Sequence, residues 1–193
     1  MIKEYKNIEI KLSNSGLSPT NIILTHNHLN DEIESKVAGE LPLTIKINNT
    51  EIITLMTLGT KPEELTLGYL RNQRIIEDIK DIISIEVKWN TGVSSVTIKH
   101  KDIKEITDKL KNKIVTTGCG QGTIFSCTLD KLYDNTLPDT KIKRSEIFNL
   151  LSKITKYNDI YKEAGAVHGC ALCNKNDVLE FVEDVGRHNA ADT

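Results

Sequence analysis

Apolar and polar residues alternate along much of the first hundred positions, the period of a half-buried strand. Ile8, Ile10 and Leu12 predict a short strand near the N-terminus. Residues 25–40, dense in Asn, His, Asp and Glu, read as loop. Leu41–Ile47 and residues 51–56 read as two strands joined at Asn48-Asn49, a dipeptide that tolerates the positive φ of a tight hairpin. The spacing then turns helical. Leu65, Leu67 and Leu70 predict a helix towards Gln73, with Thr60 as N-cap, Pro62 in the first turn and Glu63 as capping-box partner. Residues 83–88 and 95–99 alternate again about Asn90-Thr91-Gly92, which predicts a second hairpin.

Beyond residue 100 the pattern is less regular. A short charged helix is expected over 102–112, and a polar loop containing Pro138 over 134–144. Ser145 is placed as the cap of a helix with Ile147, Leu150, Leu151 and Ile154 on one side. A break at Asn158-Asp159, a turn at 174–177 and a strand at 178–182 complete the reading, and residues 184–193 look like the opening of a last helix. There is no internal repeat and no low-complexity tract.

Composition narrows the function classes. The 193 residues are 38% hydrophobic and 27% charged, with a formal net charge of -2. That is ordinary globular usage, with no basic excess to attract nucleic acid and no polybasic run for a membrane surface. The N-terminal MIKEYKNIEI is charged rather than apolar, and no run is long enough to span a bilayer, so a cytoplasmic location is expected. The four cysteines, Cys119, Cys127, Cys170 and Cys173, are then read as buried apolar residues, metal ligands or nucleophiles rather than disulfides.

Three glycine-containing segments hold the candidate chemistry. The first is TTGCGQGT at 116–123. Gly118, Gly120 and Gly122 around Cys119 expose the sulfur and let backbone N–H groups face an anion, which favours the thiolate. A thiolate nucleophile and a small residue in a tight turn fit that spacing equally well. The second is VHGCALC at 167–173, where a C-x-x-C follows His168. A zinc site would need a second ligand pair that the spacing does not provide, and two cysteines on a buried apolar segment fit better. The third is EDVGRHN at 183–189. Arg187 can fork onto a phosphate, His188 can move protons near neutral pH, and Asn189 can read a polar edge. The plainer reading of this run is a helix start with acidic residues in its first turn. His26 and His28 are expected to be solvated, and Trp89 to pack in its hairpin. A zinc deaminase would carry H-x-E before its P-C-x-x-C, with the glutamate shuttling protons. Here Cys170 stands in place of that glutamate, so any likeness is one of fold and not of reaction.

Taken together, TTGCGQGT, GAVHGCAL at 165–172 and EDVGRHNAAD at 183–192 resemble the formate dehydrogenase accessory sulfurtransferase family (FdhD/NarQ), as does LPLTIKINNTEIITLMTLGTKPEELTLGYL at 41–70. The resemblance implies an α/β protein: a small α+β N-terminal domain over residues 1–112, then a cytidine-deaminase-like sulfurtransferase domain over 113–193, C-terminally incomplete. It implies persulfide sulfur taken from a cysteine desulfurase onto Cys119, and passed to molybdenum bis(pterin guanine dinucleotide) for a formate dehydrogenase. Gly118, Gly120, Gly122, His168, Arg187, His188 and Asn189 become expected cofactor contacts, with no tightly bound metal and a homodimer as the assembly. Many members carry a second cysteine three residues after the first, where this chain has Gly122. Two rival functions remain open: a zinc-dependent deaminase-like hydrolase, and a chaperone that binds the molybdenum cofactor without moving sulfur.

Overall fold

The computed structural model describes residues 8–12, 18–99, 113–115, 123–125, 136 and 138–193. The helix expected over 102–112 and the glycine-rich residues 116–122 lie outside them.

The centre of the fold is a mixed five-stranded sheet. Its strands are β1 (Glu9–Leu12), β4 (Leu41–Ile47), β5 (Thr50–Thr57), β6 (Ile82–Lys88) and β7 (Val93–Ile98), in the order β1-β6-β7-β4-β5. The two sequence-predicted hairpins, β4–β5 and β6–β7, are antiparallel pairs, and β7 joins them by running parallel to β4. Alternation explains the burial. Leu43, Ile45 and Ile47 of β4 are sealed, as are Ile85 and Val87 of β6, while Lys46 and Glu86 between them are not. Asn48 and Asn49 take φ of 43° and 70°, as the turn requires.

Helix α1 (Pro62–Asn72) shares one core with this sheet through Leu65, Leu67, Tyr69 and Leu70. Thr60 is not its cap. Lys61 holds that position with no side-chain hydrogen bond, and the first turn relies on Pro62 and on the acidic Glu63 and Glu64. Inside the helix, the Thr66 hydroxyl reaches Pro62 O at 2.7 Å and Ser94 Oγ at 2.8 Å, which satisfies two buried polar groups against β7.

The expected loop over 25–40 is instead the end of one hairpin, β2 (Thr20–His26) with β3 (Glu32–Ala38). Asn27 closes it, its side-chain oxygen accepting from Leu29 N and Asp31 N. His26 and His28 are exposed, and Trp89 packs against the core, as read from the sequence.

Strands β8 (Lys113–Val115) and β9 (Thr123–Phe125) pair antiparallel. Helix α2 (Arg144–Ile154) starts one residue before Ser145, with Glu146 accepting from the Lys143 N–H at 2.8 Å. The expected break at Asn158-Asp159 is the start of a second short helix, α3 (Asp159–Ala164). Strands β10 (His168–Cys173) and β11 (Val178–Asp184) form a hairpin, and α4 (Arg187–Asp192) follows. Asp192 lies so close to α1 that a Cβ on Gly68 would stand 1.5 Å from its carbonyl oxygen. Among the described residues after 136, only Val167 and Ala190 join the buried apolar set.

Candidate functional site

Two adjacent acids end β11, and they face different neighbours, as alternation along a strand demands. Glu183 accepts from Ile160 N at 3.0 Å and Tyr161 N at 2.8 Å, the first amides of α3. It thereby caps a helix that has no side-chain cap of its own. Asp184 turns towards the central sheet. Its Oδ2 accepts from Thr57 Oγ1 at 2.6 Å and Leu58 N at 3.1 Å, beyond the end of β5. Its Oδ1 accepts from Gly186 N and Asn189 Nδ2, both at 2.9 Å. A carboxylate only 3% exposed is thus satisfied by four donors. Both acids precede the helix; neither lies in its first turn, where the sequence reading put them.

The expected ligand contacts fall around this point. His168 opens β10 directly opposite Asp184 in the ladder, and Gly169 lies opposite Glu183. His168 is exposed and lines a notch of about 240 Å³ with Asn158, Tyr161, Gly169 and Phe181. A Cβ on Gly169 would meet the Phe181 ring at 2.7 Å, so any other residue there would have to displace that ring. Arg187 and His188 open α4 and are both exposed. The fold therefore brings the second and third glycine-containing segments to one end of a single hairpin. Asn189 is placed differently: it is 1% exposed, and its amide donates to Met56 O at 2.7 Å as well as to Asp184. Its donors are used within the protein. Gly186 matters for the same reason, since a Cβ there would meet the Asn189 amide at 2.9 Å. Cys119, Gly118, Gly120 and Gly122 lie outside the described residues.

Cys170 and Cys173 are half-buried rather than sealed, and a register irregularity separates Leu172 from Cys173. Cys170 lines a groove of about 560 Å³ between the hairpin and α1, together with Glu64, Leu67, Arg71 and Asp192. No cluster of three potential metal ligands occurs among the described residues. Beside this groove, burial holds the Asp192 carboxyl above its ordinary 3.8, against the opposing pull of the Asn72 hydrogen bond and His188. Burial likewise raises Glu63, with Glu64 adding to it, and pushes the Tyr69 hydroxyl upward, where Asp192 adds to the effect.

Sequence reasoning missed Asp184 and Thr57 as the point where the β10–β11 hairpin is bonded to the end of β5. The available signal was a pair of acids ending an apolar strand just before glycine, a place where a buried carboxylate can collect turn amides.

Comparisons with known proteins identify the family and the fold. The sequence profile described as the FdhD/NarQ family matches residues 38–193. The sulfur carrier protein FdhD of Listeria innocua is 30% identical over 165 residues, spanning 83% of this chain and 62% of the relative. That of Bacillus subtilis is 28% identical over 162 residues, with the same shares. The protein of the same name from Sulfurisphaera tokodaii is 32% identical over 161 residues, 81% of this chain and 60% of its own. A crystal structure from Desulfotalea psychrophila, named provisionally as a formate dehydrogenase accessory protein, superposes with a TM-score of 0.65 at 26% identity. It covers 91% of this chain, which covers 65% of it. The chain spans about three fifths of the length of the curated relatives it matches. With that profile match over most of its length, and a fold shared with a named relative, the chain belongs to the FdhD/NarQ family.

Proposed function

We propose that this chain is a sulfur carrier that holds persulfide sulfur on Cys119 and passes it to molybdenum bis(pterin guanine dinucleotide), the cofactor of a formate dehydrogenase. The observation that carries the reading is the family match, joined to a single cysteine set among three glycines in TTGCGQGT. In this reading residues 113–193 belong to a cytidine-deaminase-like domain, residues 1–112 to a smaller α+β domain, and the working assembly is a homodimer in the cytoplasm.

The chemistry needs a thiolate and little else. The Cys119 thiolate attacks the outer sulfur of a persulfide on a cysteine desulfurase. The donor S–S bond breaks, the donor thiolate leaves, and a Cys119 persulfide forms. The acceptor then takes the outer sulfur while the Cys119 thiolate departs. Where the acceptor receives the sulfur at the sulfide level, two thiols of a reductant supply two electrons and become a disulfide. Backbone amides of a glycine-rich turn favour the thiolate at both ends of this cycle. Gly118, Gly120 and Gly122 have that part, while His168, Arg187 and His188 contact the acceptor. The buried Asn189 acts through Asp184.

Incubation with a cysteine desulfurase and free cysteine, followed by intact mass spectrometry, tests the reading. One added sulfur is expected on the wild-type chain and none on Cys119→Ala. An adduct that survives the substitution rules out Cys119 as the carrier.

A further inference from the structure

We propose that Asp184 is a positioning residue, which fixes the turn at Val185-Gly186 so that Arg187 and His188 follow from the hairpin end that His168 opens, and the three serve as acceptor contacts. The inference rests on the reading of those three residues as acceptor contacts, and it adds a residue to which that reading gives no role.

The two oxygens of Asp184 do different work. Oδ2 grips Thr57 Oγ1 and Leu58 N, which anchors the end of β11 to the central sheet. Oδ1 grips Gly186 N and Asn189 Nδ2, which closes the turn into α4 from both sides. The Asn189 amide continues to Met56 O, so the turn is tied to the same stretch of sheet by a second path. Helix α4 has six residues, too few to hold a shape alone, and its first two are exposed. Their backbone continues directly from the turn before them, so what grips that turn sets where they begin. His168 needs no such help, because the ladder sets it opposite Asp184.

This division lets substitutions separate positioning from bulk stability. In Asp184→Asn one oxygen becomes an NH2. With the NH2 on the Oδ1 side, it would meet two donors, Gly186 N and Asn189 Nδ2. On the Oδ2 side it meets only Leu58 N, because the Thr57 hydroxyl can rotate to accept. The asparagine therefore keeps its oxygen on the turn, and on the sheet side it keeps Thr57 and loses Leu58 N. Asp184→Ala loses the bonds on both sides, whereas Thr57→Val loses the bond to Asp184 Oδ2 and the one Thr57 accepts from Gly59 N, and leaves the turn gripped.

Guanosine diphosphate, carrying the guanine and phosphates of the expected acceptor, is titrated into each protein while the imidazole NMR signals of His168 and His188 are followed. Melting temperature is measured in parallel. All three variants should melt lower than wild type. Thr57→Val and Asp184→Asn should bind the nucleotide within about twofold of wild type, and Asp184→Ala about tenfold more weakly, near the value for Arg187→Ala. Affinity for Asp184→Asn or Thr57→Val as low as for Asp184→Ala overturns the proposal, as does wild-type affinity for Asp184→Ala. So does a wild-type chain whose two imidazoles do not respond to the nucleotide. Sulfur loading of Cys119, read separately by mass, needs none of these contacts. Its failure would count against the carrier function alone.

Discussion

Asp192 shows how one side chain can couple this fold to pH. Its carboxylate accepts from Asn72 Nδ2 at 2.7 Å against the side of α1. Burial holds it above its ordinary 3.8, so the folded chain retains a proton that the unfolded chain has released. A carboxyl raised in this way contributes stability below its unfolded value and loses it as pH rises through the folded one. Glu63, raised from 4.5 by burial and by Glu64, works in the same direction. Asp192→Asn removes the ionised form while keeping an oxygen for Asn72. The variant should melt close to wild type at about pH 4, and higher than wild type by about 2 °C at pH 7. A melting difference that does not change with pH would show that the Asp192 charge is not what the fold resists. Glu63→Gln should show the same trend.

At the scale of elements, the contact between α1 and α4 depends on one missing methyl group. Alanine in place of a helical glycine ordinarily stabilises by about 1 kcal/mol. At Gly68 that gain is reversed, because the added carbon would stand 1.5 Å from the Asp192 carbonyl oxygen, which is backbone and cannot rotate away. Gly68→Ala should therefore lose about 1 kcal/mol in denaturant unfolding, the overpacking cost outweighing the propensity gain. The amides of Ala190 and Thr193, which bond within α4, should exchange faster. A variant more stable than wild type would mean that α4 yields freely. Sequence could not show this contact, since its partners are more than a hundred residues apart. It did show the elements that local chemistry determines. The β4–β5 and β6–β7 hairpins are legible because alternation and turn residues agree. The β2–β3 hairpin was hidden because Asn27, His28 and Asp31 form its turn and drew EIESKVA after them into an apparent loop, leaving NIILT before them without a partner strand. Of the proposed contacts, His168, Arg187 and His188 are singled out by residue type. Asp184 is not, because its role consists of donors supplied by Thr57 and Leu58 from the other half of the chain.

For the whole molecule, the distribution of buried carbon predicts how stability is graded. Leu43, Ile45, Leu55, Leu70, Ile85 and Val87 are each no more than 1% exposed, and all lie in β4, β5, β6 or α1. By contrast Ile22 and Leu24 of β2, Phe148 and Leu151 of α2, and Leu172 and Leu179 of the β10–β11 hairpin are at least half exposed. Local opening of those outer elements uncovers little apolar surface, whereas opening the sheet uncovers the core. Amide hydrogen exchange should therefore be slowest in β4, β6, β7 and α1, where opening requires global unfolding. It should be faster in β2–β3, α2 and the outer end of β10–β11. Two variants check the cause. Leu70→Ala leaves a cavity in the sealed layer and should cost about 3 kcal/mol, lowering protection throughout the sheet. Leu172→Ala, at a side chain 52% exposed, should change stability by about 0.5 kcal/mol or less. The end of the hairpin that carries His168 and Asp184 should depart from its surroundings. Thr57 and Leu58 bind it to the protected sheet, so Val182 to Asp184 should exchange more slowly than Val178 to Glu180 in the same strand. Uniform exchange along β11 would mean that the Asp184 junction does not transmit the rigidity of the core to the residues that follow it.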